Sequence, residues 1–209
     1  MNYLVSRTCT EIPPPDAAQS RQPESRSLDG FRSAPAYVLL GDPGAGKTTA
    51  FEVESEAMDD ALCIPARKFR KLSVESHPEW REKTLFIDGL DEVRAGTDDV
   101  RTPFDEIWSK LDELGKPRFR LSCREADWLG ANDRDNLASV TPDGAVTVLR
   151  LDPLTHEDIL SILDAQPEVD DAQKFVAKAQ DRGVDGLLTN PQSLELLVQA
   201  VANLSLIHI

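Results

Sequence analysis

The residues with the clearest chemical grammar are Gly41, Asp42, Pro43, Gly44, Ala45, Gly46, Lys47 and Thr48, followed by Thr49. They match G-x-x-x-x-G-K-[ST] in full, the spacing of a phosphate-binding loop. Small residues let the backbone wrap a phosphate chain with its N–H groups turned inward. The N-terminus of a following helix adds positive potential. In such a loop Lys47 reaches the β- and γ-phosphates and Thr48 holds Mg²⁺. The alternative is a glycine-rich strand-to-helix turn with no ligand.

A second group lies 41 residues beyond Lys47, in Leu85-Phe-Ile-Asp88-Gly-Leu-Asp91-Glu92. An apolar strand delivers Asp88 to the carboxyl edge of a sheet, where an acid binds Mg²⁺, usually through water. Strands often end in Asp, so the distance from the glycine loop carries the weight. That distance leaves room for a helix, a strand and a short connection. Asp91 and Glu92 are then candidates to orient or deprotonate an attacking water, or else members of a solvated acidic turn. The third group is Arg118-Phe-Arg-Leu-Ser-Cys-Arg124, a strand presenting Ser122 and Arg124 at the same edge. Arg124 would sense or stabilise a γ-phosphate; its alternative is a surface ion pair. His77, His156 and His208 do not form a metal-spaced set, which argues against zinc.

These residues need a scaffold, and the surrounding text supplies one. Ala36–Leu40 is an apolar run ending at Gly41, as a buried strand should. Further strands are expected at Ala61–Ala66, Thr84–Ile87, Phe119–Ser122 and Ala145–Leu151. Helices are expected over 46–58 and from Thr102 to Leu114, with Pro103 at a first helical position. This strand–helix alternation predicts a parallel, doubly wound α/β sheet. After Pro153 the strands stop. Thr155 reads as the N-cap of a helix whose apolar stripe is Ile159, Leu160, Ile162 and Leu163, and further helices are expected over Val169–Asp181 and Pro191–Ala202. Residues 1–35, with Pro13-Pro14-Pro15 and four Arg balancing four Asp/Glu, read as an extended lead-in. A sharper reading packs Leu28–Pro35 beside the first strand, where it covers a ligand. The closing Asn203-Leu-Ser-Leu-Ile-His-Ile209 reads as a translated cloning scar.

Composition narrows the functions. The 209 residues carry 37 Asp+Glu against 23 Lys+Arg, a formal net charge of −14. Such a chain repels nucleic-acid backbones at long range. Three widely spaced cysteines, Cys9, Cys63 and Cys123, suggest neither a disulfide framework nor a metal site, and a reducing compartment fits. No apolar run approaches the roughly 18 residues needed to span a bilayer. The expected location is cytoplasmic, with no membrane partner.

The combination of GDPGAGKTT, LFIDGLDE, LSCR and Leu188-Thr-Asn190-Pro191 resembles the NACHT branch of the STAND signalling NTPases over about residues 36–202. The resemblance implies an additional-strand P-loop sheet of five parallel strands in the order 5-1-4-3-2, followed by a helical domain. It divides the chain into an N-terminal extension (1–35), a P-loop NTPase core (36–152), a partial helical lid (153–203) and a tail (204–209). It implies ATP or ADP as ligand, with Mg²⁺ and less often GTP, and Pro191 packing on the base. Read from the residues alone, Asn190-Pro191 is a helix N-cap and first residue. The function so implied is a slowly hydrolysing ATP switch that self-associates in its ATP state, in antiphage defence or stress signalling. The alternatives are a nucleotide-stabilised interaction module and an AAA-type motor; the acidic balance and the DGLDE arrangement count against the motor. A small-molecule kinase fits less well, since no substrate pocket is evident.

Overall fold

The computed structural model describes residues 5–14, 24–94 and 102–207. The other stretches, including parts of the lead-in and of the tail, lie outside the described residues. The chain is α/β. Its strands are β1 (Thr8–Glu11), β2 (Ser25–Ser27), β3 (Ala36–Leu40), β4 (Ala61–Pro65), β5 (Thr84–Asp88), β6 (Phe119–Cys123) and β7 (Thr147–Leu151). Its helices are α1 (Lys47–Glu56), α2 (Ala66–Lys71), α3 (Leu90–Arg94), α4 (Thr102–Glu113), α5 (Ala131–Ser139), α6 (His156–Asp164), α7 (Ala172–Asp181) and α8 (Pro191–Ile207). These fall into two compact units. Of the described residues, the larger holds those within Thr8–Asp42 and Lys47–Leu151; the smaller holds those up to Arg7, Pro43–Gly46 and those from Asp152 onward.

The larger unit is one mixed sheet of seven strands in the order β2-β1-β7-β3-β6-β5-β4. The last five are mutually parallel. This corrects the expectation of a purely parallel five-stranded sheet. Two strands from the supposed lead-in join the edge: β1 pairs antiparallel with β7, Cys9 opposite Leu151, and β2 pairs antiparallel with β1. They escape a pattern search because each is only three or four residues long, and a partner strand supplies the hydrogen bonds. The segment after β2 also packs inward, since Leu28 and Phe31 are buried.

Parallel strands buried on both faces read as continuous apolar runs, and β3 is buried at all five positions. Alternation then sorts the side chains. Ala36, Val38 and Leu40, with Phe119, Leu121 and Cys123, join one core with Phe69, Leu90, Ile107, Leu111 and Leu137 from α2 to α5. On the opposite face Phe51 of α1 meets Tyr37 and Phe86 edge-to-face, with ring centroids 6.3 and 5.2 Å apart. Lys110 of α4 donates to the carbonyls of Phe69, Arg70 and Leu72, satisfying the open end of α2.

Arg120 of β6 is fully buried on the face shared with Tyr37. It donates to the carbonyls of Arg32, Ala34, Pro35 and Phe119 and lies 4.6 Å from the centroid of the Tyr37 ring. It thereby pins the segment that leads into β3. Burial pushes its pKa down to about 10.

In the smaller unit, Leu154, Ile159, Leu163, Val176, Leu188, Leu194 and Val198 close an apolar core. Thr155 caps α6 in a full capping box with Asp158. α7 starts later than expected because Asp171 caps it, accepting from the Lys174 N–H at 2.9 Å. α8 runs to Ile207 rather than Ala202. The expected loop before it contains a 3-10 turn, Asp185–Thr189. α5 was absent from the sequence reading. Its Ala-Asn-Asp-Arg-Asp-Asn-Leu-Ala-Ser carries no apolar stripe, and only Leu137 and Asp133 are buried. Asp133 instead accepts from the Leu129 N–H at 3.0 Å.

Candidate functional site

In the larger unit three neighbouring parallel strands, β3, β6 and β5, end at one edge and deliver the polar residues singled out by sequence. The pairing of β3 with β6 and of β6 with β5 brings the end of the glycine loop, Asp88 and Arg124 together. Thr48 Oγ1 donates to Asp88 Oδ2 at 2.7 Å. Ser122 Oγ donates to Asp88 Oδ1 and accepts from the Gly89 N–H at 2.8 Å. Both oxygens of Asp88 are therefore held by hydroxyl groups. Gly89 has φ +82°, and a Cβ there would meet Glu92 Cδ at 3.3 Å. The glycine in Asp-Gly-Leu-Asp-Glu serves a backbone turn that an L side chain rarely adopts.

Lys47 Nζ folds back on its own loop, donating to the carbonyls of Gly41 (2.7 Å) and Asp42 (3.1 Å). Partial burial lowers its pKa from the ordinary 10.5, opposed mainly by the charge of Asp91. Gly41 is anchored through its N–H to the Cys123 carbonyl at 3.3 Å. Thr49 is half-buried on α1.

Asp91 and Glu92, equivalent in the sequence, part company in the structure. Both lie on α3 rather than in the acidic turn that stood as the alternative to a catalytic role. Asp91 is buried, and its Oδ2 pairs with Arg124 Nε at 2.8 Å. Its Oδ1 is buried with no hydrogen-bond partner among the described residues. Glu92 is exposed. Arg124 is 44% exposed along its side chain, so the buried carboxylate holds a cation that still faces water.

Pro43–Gly46 and Pro191 belong to the smaller unit. Asn190 Nδ2 donates to the Pro43 carbonyl at 3.0 Å. The Gln192 N–H donates to the Gly44 carbonyl at 3.3 Å. Arg7 Nη1 donates to the Ala45 carbonyl at 2.8 Å, and its Nη2 to the Asp152 carbonyl at 2.6 Å. A Cβ on Gly46 would lie 3.7 Å from Pro191 Cγ, so Pro191 sits against the loop itself.

The donor set suits Mg²⁺. Thr48 and Asp88 offer hard oxygens, and a magnesium ion commonly takes only one or two carboxylates and keeps its waters. The unpartnered Asp91 Oδ1 is a further acceptor that burial makes costly to leave alone. Among the described residues no group of three or more His, Cys, Asp or Glu is placed to hold a metal, which a magnesium site of this kind does not require.

Sequence reasoning named Ser122 without giving it a role; its place two residues before Arg124 on one strand was the available signal. Arg7 gave none, because it sits in a stretch whose composition reads as a lead-in. No protein-family model matches the chain, and the comparison with curated proteins found no match. No helix among the described residues is long and apolar enough to cross a membrane.

Proposed function

We propose that the chain binds ATP or ADP with Mg²⁺ and works as a slowly hydrolysing switch of the NACHT/STAND type. The observation that carries this reading is the Thr48–Asp88 hydrogen bond, which joins the end of the glycine loop to the strand-end acid 40 residues away. The parallel strands β3 to β7 lend further support. Numbered from one to five along the chain, they lie in the order 5-1-4-3-2, the order expected of an additional-strand P-loop sheet.

Thr48 and Asp88 would hold Mg²⁺, which would supply charge neutralisation to the bound phosphates. Lys47 would exchange its two loop carbonyls for phosphate oxygens. Arg124 would leave Asp91 in part to meet the γ-phosphate, making the ion pair sensitive to whether that phosphate is present. Glu92, exposed and on the same short helix, is the better placed of the two acids to take a proton from water. Asp91 holds Arg124 in waiting. In the ATP state the switch would associate with further copies of itself, in antiphage defence or stress signalling.

Mass spectrometry of nucleotide released on denaturing the purified protein tests the ligand directly, and identifies adenine or guanine. Lys47→Ala is expected to abolish binding in calorimetry; unchanged affinity in a folded variant would remove the site assignment.

One observation favours a second reading, a nucleotide-stabilised interaction module with little turnover. Asp91 is already committed to Arg124, which leaves Glu92 as the free acid on α3. Glu92→Gln is expected to lower turnover by at least tenfold, the size of a general-base contribution being about 10²–10⁴. A rate that does not move would favour the module.

A further inference from the structure

The phosphate-loop tip offers three successive carbonyls, at Pro43, Gly44 and Ala45. All three are taken by donors from elsewhere in the smaller unit: the Asn190 side chain, the Gln192 backbone and the Arg7 guanidinium. There are no cis peptide bonds among the described residues. In a trans peptide the N–H points opposite to the C=O of the same plane. Holding these carbonyls therefore turns the N–H groups of Gly44, Ala45 and Gly46 to the other side. Gly44 and Gly46 have φ of +74° and +92°. Such alternation of backbone hand builds an anion-binding concavity.

The fit at Gly44 is close. A Cβ there would stand 2.3 Å from Gln192 Oε1, 2.6 Å from Gln192 Cβ and 3.0 Å from Asn190 Oδ1. The glycine is thus needed on the outer side of the loop. Asn190 does two jobs at once. Its Oδ1 accepts from the N–H groups of Gln192 (3.1 Å) and Ser193 (3.3 Å), capping α8, while its Nδ2 reaches Pro43. Arg7 ties the loop to the Asp152 carbonyl, where the helical segment begins.

We propose that Arg7 and Asn190 are positioning residues for phosphate binding. They clamp the loop by its outer carbonyls and so preset the N–H groups that face the ligand. The proposal rests on the phosphate-loop reading above. It makes loop order and ligand affinity reciprocal: a phosphate chain stabilises the clamp as much as the clamp favours the phosphate.

The test uses the full chain and inorganic tripolyphosphate, which lacks a base, alongside ATP, both with Mg²⁺. Asn190→Ser keeps a capping oxygen for α8 but is too short to reach Pro43. It changes no charge. Arg7→Lys keeps the charge and loses the two-pronged contact. Each is expected to weaken tripolyphosphate and ATP by the same factor, about tenfold for Asn190→Ser and less for Arg7→Lys. The loss in Asn190→Ser should not depend on salt, which separates lost geometry from lost attraction. Matched thermal melts check that both variants fold; if one does not, the other decides. Unchanged tripolyphosphate affinity in the folded variants, or a loss seen for ATP alone, would overturn the clamp. Failure of the wild-type chain to bind tripolyphosphate or ATP would instead overturn the phosphate-loop reading, and the clamp with it.

Discussion

The two units bury different things. The larger one encloses polar groups within its sheet and beside it: Arg120 and Ser122 on one strand, Asp91 on α3 and Glu54 on α1. The smaller one has an apolar core, and its polar side chains work at helix ends, as Thr155, Asp158, Asp171 and Asn190 do. Burying a polar group is costly unless it is fully partnered. A helical core of Leu, Ile and Val avoids that cost. The larger unit accepts it, and three of its buried polar groups, Arg120 and Ser122 on β6 and Asp91 on α3, lie on or beside the strands that carry the candidate chemistry. A buried Ser or Asp in such a unit marks where orientation is being fixed, whereas a cap in the smaller unit marks where a helix begins.

The contrast predicts unequal responses to mutation. Arg120→Leu removes the donor to three carbonyls ahead of β3 and should cost about 3 kcal/mol or more. Trp80, Trp108 and Trp128 all lie in the larger unit, so urea unfolding followed by tryptophan fluorescence reads that cost. A loss below about 1 kcal/mol would mean that the buried cation is a passenger.

A smaller effect concerns Lys47. Its lowered pKa means that Lys47 releases its proton more readily than a free lysine would, while phosphate favours the charged form. Nucleotide affinity should stay level below that lowered pKa and fall above it. The fall should approach about tenfold, or 1.4 kcal/mol, per pH unit, beginning below the ordinary 10.5. Calorimetry across alkaline pH measures it. Affinity that holds level up to pH 10.5 would show that Lys47 is not desolvated before ligand arrives.

The smallest effect belongs to the smaller unit. Thr155→Ala should cost about 1 kcal/mol through loss of the capping box, seen in a thermal melt followed by circular dichroism. A loss as large as that of Arg120→Leu would erase the difference between the units.

Much of the scaffold was legible because buried parallel strands write themselves as apolar runs. β3, β5 and β6 were placed within a residue of their ends for that reason. The two short strands β1 and β2 and the polar helix α5 were not legible. Their sequences hold no sustained period: β1 takes its partner from far along the chain, Cys9 opposite Leu151, and α5 buries only Leu137 and Asp133.

The sequence by itself determined which residues could form a phosphate loop and a strand-end acid, because motif spacing and apolar periodicity are local properties. Tertiary structure alone decided that Ser122 fastens Asp88, that Asp91 rather than Glu92 is buried against Arg124, and that Arg7 and Asn190 hold the outer carbonyls of the loop. Each of these is a hydrogen bond or ion pair between atoms distant in sequence. Such partners are chosen by where strand register and helix packing bring them, and by the cost of leaving a buried polar group unpaired.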